Sequence, residues 1–288
     1  MTITRSDFFK LGLGAAAGLA LGATPRSAAA KEWKLIRVAT EGAFPPYNMH
    51  APDGRLIGFE PDLLQELSAR MGVKCEMIAQ AWDGMIAGLT DGKYDAIMDA
   101  VSVTPKREEV IAFSRPYASA GSGFAIMKEG SIKSLPGTGA PRVPFADEAV
   151  AKKAIEELAK PLAGKTVAVQ VSTIQNDVLN RYFKDVLTIR TYSSGPDTFL
   201  DLKSGRVDAV MASQINIQAN AKKSNGEMIQ SGYLFTGGLL GVGSAVGLRK
   251  GDPELKEIFD KALKSTIDDG TLKRLALKWF EMDITPAS

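Results

Sequence analysis

The sequence predicts an α/β protein built as two similar lobes, and three observations carry that prediction. Strand and helix signals alternate along the chain, the pattern of a parallel sheet with helices between its strands. One seven-residue phrase occurs twice: Gly92-Lys93-Tyr94-Asp95-Ala96-Ile97-Met98 returns 113 residues later as Gly205-Arg206-Val207-Asp208-Ala209-Val210-Met211. Each copy follows an amphipathic helical stretch. Finally, the 288 residues are 45% hydrophobic and 24% charged, enough for a sizeable core and for more than one lobe. The phrase alone is also a common helix-to-strand turn; the shared order of elements around it favours two lobes.

Residues 1–30 read as an export signal. Arg5 and Lys10 form the basic start, Leu11–Ala23 is an uncharged run of 13 residues, and Ala28-Ala29-Ala30 supplies the small-residue cleavage pattern. The run is too short to span a bilayer. The stretch Thr4–Lys10 resembles a twin-arginine signal with Ser6 in place of the second arginine. Cleavage after Ala30 is expected, and the mature protein is expected in the periplasm.

A strand is expected over Leu35–Thr40, then a loop, Glu41–Tyr47, in which Pro45 and Pro46 forbid helix. Pro61 is placed to open a helix reaching about Arg70, with Leu63, Leu64, Leu67 and Met71 on one face and Gly72 as its stop. A strand over Lys74–Ile78 follows, then a helix from Trp82-Asp83 to Asp91-Gly92, then the strand Ala96–Met98. In the second half, Thr166–Gln170 is the opening strand and Asp197–Lys203 the helix before the repeated phrase. Residues 131–163 interrupt this order. Pro136, Gly137, Gly139, Pro141 and Pro144 mark an irregular stretch, followed by a charged helix over Ala146–Lys160. Two C-terminal helices are expected over Pro253–Ile267 and Thr271–Phe280.

Composition excludes several classes of function. The chain has 35 Lys+Arg and 33 Asp+Glu; without residues 1–30 the count is 32 of each sign. A chain this evenly balanced carries no basic stripe for a polyanion. With one His and one Cys, neither a metal centre nor a Ser-His-Asp or Cys-His arrangement has support. No cofactor and no metal are expected. Cys75 reads as a buried apolar residue and His50 as a surface residue of a polar loop.

The phrases IRVATEGAFPPY (36–47), GFEPDLLQEL (58–67), WDGMIAGL (82–89), KYDAIMDAVSVTPKREEVIAFS (93–114), SGRVDAVMA (204–212), VGLRK (246–250) and DDGTLKRLALKWF (268–280) together resemble the periplasmic solute-binding proteins of ABC importers for polar amino acids and opines. The wording is most like the octopine- and nopaline-binding members. The resemblance covers essentially residues 31–288. It implies a two-lobed type II periplasmic-binding-protein fold with two crossing hinge strands and ligand held between the lobes. The implied division is lobe 1 over 31–119 and 237–288, and lobe 2 over 120–236, with 131–163 inserted on lobe 2. The implied partners are an amino-acid-like ligand and an ABC permease, and the implied state is a monomer.

The resemblance also implies a site. Thr104 can cap a short helix that Pro105 opens, and Arg107 in its first turn matches the residue that grips the ligand α-carboxylate. Ser102 matches a hydroxyl that touches the ligand. Glu41, just past the carboxyl end of the first strand, matches the acid that holds a cationic side chain. Phe44 and Trp82 match aromatic or apolar wall positions on which a guanidinium can stack. Asp99, with Ala100 beside it, stands where relatives have Ser or Ala. It is expected to share the cation end of the pocket with Glu41, so that the two carboxylates repel and one tends to hold a proton. From the second lobe, Gln170, Ser172, Thr173 and Ile174 form the opposite wall, with Ser172 or Thr173 capping the next helix. Ser213 replaces the Asp that in many amino-acid binders holds the α-ammonium, a change that a substituted amine such as an opine's tolerates better. Some relatives carry a disulfide whose first cysteine falls at Ser68; here that bridge cannot form.

Two functions are weighed. The first is a non-enzymatic binding protein for a cationic amino acid or an arginine-derived opine. The second is a cyclohexadienyl or arogenate dehydratase on the same scaffold, with Asp99 as general acid. Glu41 argues against the second, because it repels the anionic substrates of such an enzyme.

Overall fold

The computed structural model describes residues 32–286; the expected export signal lies outside them. Strand β1 (Leu35–Thr40) matches its expected bounds. The loop after it contains a small antiparallel sheet of β2 (Ala43–Phe44), β3 (Asn48–His50) and β4 (Leu56–Ile57). Helix α1 (Phe59–Met71) starts two residues before Pro61. The cause is tertiary: Phe59 N and Glu60 N donate to the carbonyls of Pro46 and Tyr47, so the loop itself satisfies the first free amides of the helix. After β5 (Lys74–Ala79), helix α2 (Met85–Thr90) begins later than expected because Gly84, at φ 82°, breaks the chain after Trp82-Asp83. Next come β6 (Ala96–Ile97), the single turn α3 (Pro105–Glu108) and β7 (Ala112–Ala118).

The chain then continues through β8 (Ser122–Met127), β9 (Val143–Pro144), α4 (Glu148–Leu162), β10 (Thr166–Gln170), α5 (Ile174–Tyr182), β11 (Thr188–Tyr192), α6 (Gly195–Lys203), β12 (Ala209–Ser213), α7 (Gln214–Lys223) and β13 (Met228–Thr236). It finishes with β14 (Ser244–Leu248), α8 (Pro253–Asp268) and α9 (Thr271–Phe280). The stretch read as irregular before α4 includes β9, which pairs in parallel with Phe235 and Thr236 at the edge of a sheet. Asp147 caps α4 by accepting from Val150 N.

Two sheets result, ordered β5-β1-β6-β14-β7 and β11-β10-β12-β8-β13-β9. They repeat one another. β1 lies parallel between β5 and β6 as β10 does between β11 and β12. The antiparallel fourth positions are exchanged: β8 follows β7 but joins the second sheet, and β14 follows β13 but joins the first. The chain therefore crosses twice between two α/β lobes, the two-lobed fold expected.

The duplicated phrase has one structural job in both copies. Gly92 and Gly205 take φ 76° and 72°, which ends a helix in a left-handed turn. Asp95 then accepts from Arg37 N (3.0 Å) at the start of β1, and Asp208 from Thr166 N (2.8 Å) at the start of β10. Each aspartate secures the entry of the central strand.

Both sheets are covered on both faces, as parallel sheets require. Leu63, Leu67, Phe259, Leu263, Leu272 and Phe280 pack over one face of the first sheet, and Met85, Leu89 and Tyr94 over the other. Leu158, Leu162, Val178 and Phe183 cover one face of the second, and Phe199, Leu202 and Ile217 the other. No helix among the described residues is long and apolar enough to cross a membrane. His50 is exposed, with Nδ1 3.1 Å from Gly54 O. Cys75 is half-buried rather than buried, and burial raises its thiol pKa. Ser68 accepts from Cys75 N (3.2 Å) and donates to Val73 O (2.7 Å).

Candidate functional site

A cavity of about 470 Å³ lies where the carboxyl ends of β1, β6, β10 and β12 converge. That is a usual size for a small-molecule site. Eleven of the twelve expected residues line it: Glu41, Phe44, Trp82, Asp99, Ala100, Ser102, Arg107, Gln170, Thr173, Ile174 and Ser213. Ser172 does not. It is exposed, at φ 60°, and its hydroxyl donates to Asp83 Oδ1 (3.0 Å) from the opposite lobe. The turn between β10 and α5 needs that left-handed residue, which points the hydroxyl out of the cavity. The cap of α5 is Thr173, whose Oγ1 accepts from Asn176 N (3.2 Å).

Arg107 is held by the turn α3. Thr104 Oγ1 accepts Arg107 N (3.3 Å), and the guanidinium folds back to donate through Nη1 to Ser102 O (3.0 Å). Its plane rests 5.3 Å from the centre of the Trp82 ring. Burial pulls its pKa down to about 10, with the Asp177 charge opposing, so it remains a cation at neutral pH. Among the described residues its side chain makes no ion pair with any carboxylate, including the adjacent Glu108 and Glu109. The other guanidinium donors are therefore free for a ligand. The Ser102 hydroxyl makes no side-chain hydrogen bond among the described residues.

One face of the Trp82 ring, on which a ligand guanidinium is expected to stack, meets the protein's own Arg107. Trp82 also crosses the cavity, donating from Nε1 to Val171 O (3.1 Å). Phe44 stacks on Tyr47, centroids 5.5 Å apart.

The carboxylates are held differently. Asp99, only 6% exposed, accepts through Oδ1 from Thr40 Oγ1 (3.2 Å), Glu41 N (2.9 Å) and Asn48 Nδ2 (2.8 Å). It caps no helix. Its Oδ2 takes no hydrogen bond among the described residues. Glu41 accepts through Oε1 from Gln170 Nε2 (2.9 Å), a bond across the cavity, and its Oε2 is likewise free. Burial, and then the Asp99 charge, raise Glu41 to about 7. Burial also raises Asp99. The Asp99 charge thus acts on Glu41, whereas Asp99 itself is raised by burial against the hydrogen bonds from Glu41 N, Asn48 and Thr40.

Ser213 serves the scaffold. Its Oγ accepts from Asn216 N (3.2 Å) to cap α7 and donates to Asn216 Oδ1 (2.6 Å). A hydroxyl spent this way offers a ligand ammonium little. Sequence reasoning missed Asn216, which lines the cavity and bridges it by donating to Pro45 O (2.8 Å). The signal was present: Asn216 sits three positions after a cap residue, on the turn that faces the first lobe. Gln175, bonded to Ser122 Oγ (2.9 Å), was missed beside Ile174.

A family model for bacterial extracellular solute-binding proteins, family 3, matches residues 36–282. The chain is 44% identical over 277 residues to the octopine-binding periplasmic protein of Rhizobium meliloti, covering 90% of this chain and 94% of that protein. It is 30% identical to the L-arginine-binding protein of Pseudomonas aeruginosa, covering 96% and 98%. Among solved structures, a periplasmic His/Glu/Gln/Arg/opine family-binding protein from Silicibacter pomeroyi, in complex with lysine, is 30% identical. Its TM-score is 0.71, over 88% of this chain and all of that one. The two α/β lobes and their crossed strands agree with these matches: this chain belongs to the bacterial extracellular solute-binding proteins, family 3.

Proposed function

We propose that the chain captures a cationic amino acid or, in preference, an arginine-derived opine between lobe 1 (31–119 and 237–288) and lobe 2 (120–236), and delivers it to an ABC importer. One observation carries this reading. The same cavity holds a guanidinium with free donors, on Arg107, and two carboxylates with free oxygens, on Glu41 and Asp99, and these opposite charges do not pair with each other. Unlike charges kept apart in a partly dry cavity are complementary to a ligand carrying both signs. Arg107 grips a carboxylate, Ser102 adds a hydroxyl, and Glu41 with Asp99 receives the cation. Ser213 supports the opine over a free amino acid, because no carboxylate stands there for a primary ammonium. The octopine-binding and arginine-binding relatives support the same ligand class. The names of the relatives also support a periplasmic location and export, for which cleavage after Ala30 is the expected route; N-terminal sequencing of exported protein should begin at Lys31. The protein acts as a monomer.

The test is calorimetry of wild type and Asp99→Ala against arginine, octopine, leucine and glutamate. Wild type should bind octopine or arginine and reject leucine and glutamate, and Asp99→Ala should lose that preference. Tight binding of leucine or glutamate by wild type would overturn the reading.

A further inference from the structure

Behind the cavity lies a third acid, in the phrase GFEPDLLQEL, to which the sequence reading gave no site role. Glu60, at the start of α1, is fully buried. Its Oε2 accepts from Asn48 Nδ2 (2.7 Å), the same amide that donates to Asp99 Oδ1 (2.8 Å). Its Oε1 accepts from Ala100 N (2.7 Å) and from the hydroxyl of Tyr117. Asn48 in turn accepts from Gly42 N (2.8 Å), next to Glu41. One asparagine therefore joins the Glu60 and Asp99 carboxyls, and Glu41 enters through its backbone N–H, which donates to Asp99, and through the Asp99 charge that its own carboxyl feels. The titratable groups facing this ladder are Tyr117 from β7 and Tyr47 from the loop before β3. No Lys, Arg or His forms an ion pair with Glu41, Asp99 or Glu60 among the described residues. Arg107, Lys203 and Lys223 also line the cavity, and Arg107 donates to Ser102 O.

Three neighbouring acids without a countercation cannot all ionise in a buried place. The ladder ends in Asp99 Oδ2, an unpartnered oxygen on a residue more than nine-tenths buried that lines the cavity. Glu60 also sets the cavity wall: its bond to Ala100 N holds that residue at φ 48°, a conformation rare for a non-glycine residue.

We propose that Glu60 is a positioning and specificity-determining residue of the cation end, and that capture of a cationic ligand there displaces to bulk solvent a proton held by the Glu60–Asp99–Glu41 ladder. Glu60 does not touch the ligand. It acts by holding Ala100 and Asn48, and by adding a third negative charge once the proton leaves. This inference rests on the proposed capture of a cation. Burial, followed by the Asp99 charge, raises Glu60, in keeping with a ladder that retains a proton near neutral pH. A neutral or acidic side chain would meet a protonated ladder and displace nothing, so the ladder separates cations from other ligands.

The experiment is titration calorimetry of arginine and octopine into the wild-type protein at pH 6, 7 and 8, in buffers of different ionisation enthalpy. We expect a buffer-dependent enthalpy reporting proton release. Affinity should fall as pH drops from 8 to 5, by up to about tenfold per pH unit if one proton leaves. Glu60→Gln should reduce the release. Tyr117→Phe, which removes a donor that favours ionised Glu60, should move it to higher pH. If arginine or octopine binds with the same heat in every buffer and at every pH, the proton displacement is overturned while cation capture stands. If neither binds and leucine or glutamate does, both fall. The wild-type measurement decides the matter even if the Glu60 variant fails to fold.

Discussion

Glu41 and Gln170 meet across the cavity, Oε1 to Nε2 at 2.9 Å, and join a carboxylate of one lobe to an amide of the other. Gln170 also donates to Ser193 O (3.2 Å) within its own lobe, which orients its amide. The bond favours closure and favours the ionised form of Glu41.

Gln170→Ala removes this bond. A hydrogen bond to a charged group contributes about 1.5–3 kcal/mol. Ligand affinity should fall by about tenfold or more, mainly through faster release, with little change in thermal stability. Stopped-flow dissociation of a fluorescent or competed ligand measures it, and an unchanged release rate would show that the bond contributes nothing to closure.

Arg107→Ala should cost about 2–5 kcal/mol of binding, the range for losing the partner of a buried charge. The fold should survive, because among the described residues Arg107 makes only one side-chain hydrogen bond to the scaffold. Arg107→Lys should recover little, since an ammonium has neither the flat face that rests on Trp82 nor two parallel donors. Calorimetry paired with a melting curve checks both variants; normal binding at normal stability would remove Arg107 from the site.

Ser213→Ala should lower stability by about 0.5–2 kcal/mol through loss of the α7 cap and leave affinity for an N-substituted ligand nearly unchanged. Ser213→Asp keeps a good cap and adds a carboxylate. It should shift preference toward arginine over octopine, read as the ratio of their dissociation constants. An affinity loss for octopine in Ser213→Ala as large as that of Arg107→Ala would contradict the capping role.

The ligand-free protein should lose stability as pH rises from about 4.5 to about 7. Glu41 is raised from its ordinary 4.5 to about 7, by burial and then by Asp99. The folded state thus binds its proton more tightly than the unfolded chain. The contribution is fully present below about pH 4.5 and is lost as pH climbs through about 7. Asp99 and Glu60, raised in the same direction, add to the trend. Asp269, held down to about 2 by the Thr271 amide and Arg70, acts only in more acid solution. Melting temperatures at pH 5, 6, 7 and 8 should therefore decline across this window without ligand, by roughly 2–4 °C per kcal/mol. Saturating arginine should flatten or reverse the decline. A ligand-free melting temperature that rises steadily to pH 8 would contradict it.

The sequence by itself determined the elements and their repetition. Short, largely apolar runs bounded by Gly, Pro and Asp marked β1, β5 and β10, and the left-handed glycines Gly72, Gly92 and Gly205 marked helix ends, because these signals are local and backbone-driven. The repeated aspartates, Asp95 and Asp208, announced two equivalent lobes, and the family resemblance found eleven of the cavity residues, seven of them within the motif phrases. Tertiary structure decided what each of those side chains does. Arg107 takes a face of Trp82 and Ser172 leaves the cavity for Asp83, choices between partners far apart in the chain, while Ser213 spends its hydroxyl on Asn216 in the next turn. The start of α1 moved for the same reason, since the carbonyls of Pro46 and Tyr47 satisfy its first amides. The role of Glu60 was illegible in the sequence, although the phrase GFEPDLLQEL contains it. A glutamate in the first turn of an amphipathic helix reads as a solvated charge favouring the helix dipole. Only the packing of Asn48, Ala100 and Tyr117 around it takes it out of water and makes it part of the site.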